Sequence, residues 1–193
     1  EKKIFIETKE ERTPKTPNDV FQMLRQVSMH HTEIAKKKHI TTDWATPKRV
    51  YDTVTLYILP VVESIAKESG LSYTEFAFPK QPVGEAQPRN VYHLLVQIYR
   101  NVSAYYTSRG GYDPILFDEI SDCDDISPSD TFDLAVIIGV ELRSKSGNKT
   151  IASKTAAKYE QWKAGKEKVV PGDVFRLIQH NFTLSRRIVE KAD

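Results

Sequence analysis

SPSDTFDLAVIIGVEL, residues 127–142, reads as the opening of a helix, and its first words recur along the chain. Proline lacks a backbone N–H and has a fixed φ, so it is tolerated in the first helical turn, where that N–H would have no intrahelical partner. Aligned on their prolines, five phrases share the wording: TPNDVFQMLRQV from Thr16, TPKRVYDTVTLY from Thr46, QPRNVYHLLVQI from Gln87, SPSDTFDLAVII from Ser127 and VPGDVFRLIQHN from Val170. Pro17, Pro47, Pro88, Pro128 and Pro171 are spaced by 30, 41, 40 and 43 residues, an internal repeat near 40 with a shorter first unit.

Each phrase carries start signals. Thr16, Thr46 and Ser127 stand where an N-cap hydroxyl can accept from the first turn. Asp19, Asp130 and Asp173 occupy the third helical position, close to a capping box, where negative charge also suits the helix dipole. Apolar residues then return with helical periodicity, as Val91, Tyr92, Leu95, Ile98 and Val102 in the third unit and Val50, Tyr51, Val54, Ile58 and Val61 in the second. The ring four positions after each proline (Phe21, Tyr51, Tyr92, Phe132, Phe175) is expected to anchor the core. Such a side chain buries on the order of 150–250 Å². On that reading, Phe132→Ala costs about 3–5 kcal/mol.

The expected fold is therefore all-α: a bundle of about five main amphipathic helices from the repeat, with short helices in the connections. A short α-solenoid is the alternative. Residues 1–13, rich in Lys and Glu, are expected to be a mobile lead-in, and 14–193 a single bundle domain. The first connection, KKKHITTDWA, is short and ends the first helix near Lys38. The connection 69–87, with Gly70, Pro79, Pro82 and Gly84, reads as loop with one helical turn at Tyr73 to Phe78. The connection 107–126 holds a short helix after Pro114. In 148–168, Ile151, Ala152, Thr155, Ala156, Tyr159 and Trp162 form a narrow apolar face that predicts a further helix ending near Gly165. Connections of this length leave open whether the main helices run parallel or antiparallel.

Composition narrows function. The 193 residues are 39% hydrophobic and 28% charged with a net charge of +2, a balance without the basic excess of a nucleic-acid binder. One cysteine, Cys123, excludes an internal disulfide framework and a cysteine-based zinc site. The longest apolar run, LAVIIGVEL, falls short of the roughly 20 residues needed to cross a bilayer, so no membrane insertion is expected. The opening EKKIFIETKEERTPKTP lacks an initiator Met, which favours a periplasmic or secreted protein; a cytoplasmic fragment is the alternative.

Four groups of residues bear on chemistry. His30 and Glu33 stand three apart in MHHTE, the spacing of a carboxylate-bridged metal pair in reverse order, but neither His93 nor His180 has a glutamate three residues before it. Asp118, Glu119, Asp122, Asp124 and Asp125 surround Cys123 without the turn glycine of a calcium loop, and their charge disfavours a reactive thiolate. From Gly110 to Leu142 there are nine acidic residues and no Lys or Arg; from Arg143 to Lys168 there are eight basic and two acidic, with Tyr159 and Trp162 interleaved. Tyr99, Tyr105, Tyr106 and Tyr112 gather around Arg109, a composition found at recognition surfaces and equally in half-buried helix faces. The Asn-x-Ser/Thr triplets at Asn101, Asn148 and Asn181 decide nothing.

The chain contains no phosphate loop, dinucleotide turn or nucleophile elbow. The resulting expectation is a non-enzymatic helical binding or sensory module, without cofactor, catalytic or metal residues. It would recognise a partner protein or small ligand, not nucleic acid. A metal-dependent helical-bundle enzyme, led by His30 and Glu33, and a purely structural scaffold are the alternatives.

Overall fold

A computed structural model describes residues 45–80, 84–110, 112, 114–115, 126–146, 154–165 and 168–192. Within them are five helices and no strand. Helix α1 covers 47–68 and runs in three stretches, Pro47–Thr53, Val54–Ile58 and Leu59–Glu68. It is followed by α2 (Pro88–Thr107), α3 (Pro128–Lys145), α4 (Lys154–Ala164) and α5 (Pro171–Ala192). Four of the five begin on the prolines that the sequence singles out.

These four long helices close a ring: α1 packs on α3, α3 on α2, α2 on α5, and α5 back on α1. All four are parallel. Pro47, Pro88, Pro128 and Pro171 line one cavity, so the N-termini share an end of the bundle. Midway along, Asn101 Nδ2 of α2 donates to Ser185 Oγ of α5 at 3.0 Å, at almost the same distance from their respective prolines. At the far end, Lys191 Nζ donates to Gly70 O (2.9 Å) and an Arg187 N–H to Ser72 O (2.8 Å), tying the end of α5 to the end of α1. The bundle, not the solenoid, is the architecture.

Parallel neighbours require the chain to return along the whole helix between staves. Gly70 begins the first return: its φ of 63° lets Gly70 N–H reach Lys67 O (3.0 Å) and Leu71 N–H reach Ala66 O (2.9 Å), the Schellman pattern that ends a helix. Residues 71–79 then run without regular structure, so the helical turn expected at Tyr73 to Phe78 does not form. Phe76 is buried and Phe78 packs on the core, and these two rings hold the segment in place of backbone hydrogen bonds. Helix α4 matches the expected helix before Gly165; its Tyr159 is buried and Trp162 Nε1 donates to Pro79 O at 2.8 Å. The lead-in at 1–13, the first proline-led unit and the segment after Ile115 that was expected to be a short helix lie outside the described residues.

The ring four positions after each proline is not a uniform anchor. Tyr51 is fully buried and Tyr92 nearly so, but Phe132 and Phe175 are half-buried against the core. The position three after the proline is the uniform one: Val50, Val91, Thr131 and Val174 are 3%, 4%, 2% and 3% exposed. Three residues into a helix, a side chain points to the axis that all four staves share. One residue further it is turned by about 100° toward a seam, and each seam has different cover.

Helix α1 contains an interior proline, Pro60. Its ring displaces the carbonyl four residues back, and its missing N–H leaves that carbonyl, Leu56 O, without its helical donor. The backbone responds by widening into a π turn over Val54–Ile58, with Leu59 N–H bonded to Val54 O. The turn carries Leu56 and Tyr57 outward, 37% and 39% exposed. Opposite it α3 has Gly139, where an added Cβ would lie 2.9 Å from Tyr57 Cβ. Glycine is what allows α1 and α3 to approach this closely.

Two stability measurements follow from this packing. Gly139→Val forces apart two helices at an atom fixed to the backbone and is expected to destabilise by about 2–3 kcal/mol; an unchanged denaturation midpoint would show that the seam is loose. Half-burial scales Phe132→Ala down to about 1–2 kcal/mol, below Tyr51→Ala at about 3–5, and equal losses would contradict the difference in burial.

Candidate functional site

The four N-termini surround an apolar cavity of about 100 Å³ that opens to solvent. Its wall is Pro47, Pro88, Pro128 and Pro171, the residue three on in each helix, and Ala86. Proline presents ring carbon and no N–H, so the rim of each helix is apolar where a helix start is normally polar. The one hydroxyl in the wall is turned to protein: Thr131 Oγ1 lies 3.2 Å from Ser127 O and 3.3 Å from Pro88 O.

The remaining first-turn groups are satisfied differently in each stave. Ser127 and Asp130 form a full capping box, with Asp130 N–H on Ser127 Oγ (3.2 Å) and Ser127 N–H on Asp130 Oδ2 (2.8 Å). Asp173, fully buried, accepts from Val170 N–H at 3.1 Å. Thr46 makes no side-chain cap, contrary to the sequence expectation; Arg49 N–H turns back to Thr46 O at 2.9 Å, and α2 does the same from Asn90 to Gln87 O at 3.0 Å. Neither α1 nor α2 has an acid in its first turn. Each helix N-terminus carries the equivalent of about half a positive charge; the carboxylates of Asp130 and Asp173 offset it in α3 and α5, and no first-turn acid does so in α1 and α2.

Of the groups weighed on sequence, His30 and Glu33 and the acidic run around Cys123 lie outside the described residues. Among the described residues no group of three or more His, Cys, Asp or Glu could hold a metal. His93 is exposed on α2.

The tyrosine group is largely internal. Tyr99 and Tyr105 are buried, and Arg109 stacks 3.8 Å over the Tyr105 ring. Ile115 N–H donates to Tyr99 OH (2.8 Å), Tyr99 OH lies 2.8 Å from Tyr112 OH, and Tyr112 OH donates to Glu141 Oε1 (3.2 Å). Desolvation raises both hydroxyls and pushes Tyr106 up to about 12, so at neutral pH the Tyr99 and Tyr112 hydroxyls stay protonated and hold Tyr112 and Ile115 by hydrogen bonds.

Within the basic block, Tyr159 and Trp162 are packing residues. Tyr51, Phe76, Phe78, Tyr159, Trp162 and His180 form one aromatic cluster between α1, α4 and α5, with Tyr51 stacked 5.1 Å from Trp162. Three of the block's cations meet local partners: Lys158 pairs with Glu75, Arg143 lies over Tyr57 and Lys145 over Tyr112. The two rings interleaved in the basic block pack against the bundle.

Scans against protein-family models, curated proteins and solved structures each return no match for this chain. No helix among the described residues is long and apolar enough to cross a membrane. The cavity at the shared N-termini is the candidate site on geometry; its signal in the sequence is the repeated Pro-x-x-Val/Thr, whose residues line it.

The aromatic cluster also sets a pH response. His180 Nε2 is buried without a hydrogen-bond partner among the described residues, its ring 5.3 Å from Phe76, and desolvation lowers its pKa below 6.5. The unfolded chain therefore takes up this proton first, and stability falls as pH drops from 6.5 toward the folded value. The melting temperature of the chain is expected to fall across that interval and that of His180→Phe to fall less; identical slopes would remove His180 as the source.

Proposed function

We propose that this protein is a non-enzymatic helical binding module whose ligand site is the cavity at the four proline-led N-termini. The observation that supports it is the lining: residues at equivalent positions of four staves combine into one concave apolar surface, the property that ligand pockets share. The staves are read as duplicates of one helical unit, and the pocket is what their parallel arrangement creates. A cavity near 100 Å³ takes a branched aliphatic group, such as a small ligand's tail or a leucine-sized side chain of a partner protein; an engineered apolar cavity of about 150 Å³ is known to take benzene or xenon. The dipoles of α1 and α2, which have no acid in their first turns, favour a negative or hydrogen-bond-accepting end on their side of the mouth over a cationic one.

Methyl NMR titration with 3-methylbutanoate and, separately, 3-methylbutylamine tests this. Saturable shifts centred on Val50, Val91 and Val174 are expected, stronger with the acid, and Val91→Phe should abolish them by filling the cavity. Shifts that avoid these methyls, or that persist unchanged in Val91→Phe, would overturn the assignment. Equal response to acid and amine would remove the electrostatic part.

A further inference from the structure

Val136 and Val140 form an exposed apolar stripe on the outer side of α3, and Val140, at 66%, is the most exposed large apolar side chain among the described residues. Asp133 stands one turn before Val136 and Arg143 one turn after Val140, so an acid and a base bracket the stripe. The Arg143 guanidinium lies 5.5 Å from the ring of Tyr57 on α1, which is itself exposed and extends the stripe on that side. Asp133 has no ion pair or hydrogen bond among the described residues. Partial burial and the neighbouring Asp130 raise its carboxyl above the ordinary carboxylate range.

The order acid, apolar, apolar, base is self-complementary in space as well as in sequence. On a helix turning about 100° and rising about 1.5 Å per residue, Val136 and Val140 stand about 20° to either side of the stripe's centre line and about 3 Å above and below the level of residue 138. Asp133 and Arg143 stand about 40° to either side and about 7.5 Å from that level. The members of each pair are thus displaced in opposite senses both along the helix and across it. A twofold axis through the stripe reverses both displacements at once, so a second α3 laid antiparallel sets Val136 on Val140 and Asp133 over Arg143, twice. Parallel alignment in register would oppose acid to acid and base to base.

We propose that the outer face of α3, flanked by Tyr57, docks a second copy of this chain in an isologous antiparallel pair centred on residue 138. Contact among Val136, Val140 and Tyr57 supplies the attraction. The Asp133–Arg143 pairs, exposed and so weak in themselves, fix the register and the choice of partner. Three part-exposed side chains fall short of the roughly 800 Å² that each partner gives to a standard interface, so the dimer is a weak, reversible one. The inference is independent of the ligand cavity, whose wall takes only Pro128 and Thr131 from α3.

Sedimentation equilibrium of the full chain over a concentration series tests it. A monomer–dimer equilibrium is expected, and Val140→Asp should weaken it about tenfold while the melting temperature of the monomer holds. Asp133→Arg and Arg143→Asp should each weaken association. Mixed together, the two variants regain both opposite-charge pairs across the axis, and the mixed dimer should form about tenfold more tightly than either variant's own dimer. That comparison decides the matter if Val140→Asp loosens the fold. A chain that stays monomeric at millimolar concentration overturns the proposal. So does a dimer that Val140→Asp leaves intact, or a mixture that associates no better than its two components.

Discussion

Val50, Val91, Thr131 and Val174 each stand three residues inside a helix, and all four are buried at one end of the molecule because the helices are parallel. Parallel alignment is the constraint from which the other features follow. It forbids the short hairpin links of an up-down bundle and requires each connection to travel back along a stave of about 27–33 Å. It also gathers positive helix ends that an antiparallel bundle would alternate with negative ones. The first turns reflect that strain: Asp130 and Asp173 are used as caps, and prolines reduce the number of N–H groups at the rim.

The returning segments are part of the core. Residues 71–79 contribute Phe76 and Phe78, α4 contributes Tyr159 and Trp162, and these close over Tyr51 and His180. The segment after α2 is held by hydroxyl bonds through Tyr99 and Tyr112 to Glu141. Residues 71–79 are therefore secured by ring packing, and Tyr112 and Ile115 by a chain of hydroxyls. The cavity at the proline end is framed by ring carbons and β-branched residues, side chains with few rotamers.

The α1–α3 seam differs from the rest because of two residues whose effects are coupled. Pro60 widens α1 into a π turn and pushes Tyr57 outward; Gly139 leaves room for the displaced backbone. Neither stands out in the sequence, since one proline among ten and one glycine among eight carry no local pattern. Their meaning arises only once the two helices are side by side. The exposed apolar side chains Leu56, Tyr57, Val136 and Val140 lie on the same two helices.

By itself the sequence determined where helices begin and which stripe of each is buried. Proline's missing N–H, the Ser127–Asp130 cap and the 3.6-residue period act within one or two turns, and no distant contact is needed to express them. Tertiary structure decided the rest: that the staves are parallel, that position three and not position four is the common anchor, that Tyr159 and Trp162 face inward, and that four prolines enclose a cavity. Each of these depends on what lies across a seam, and a side chain's depth is set by its neighbour's backbone, which its own sequence does not encode.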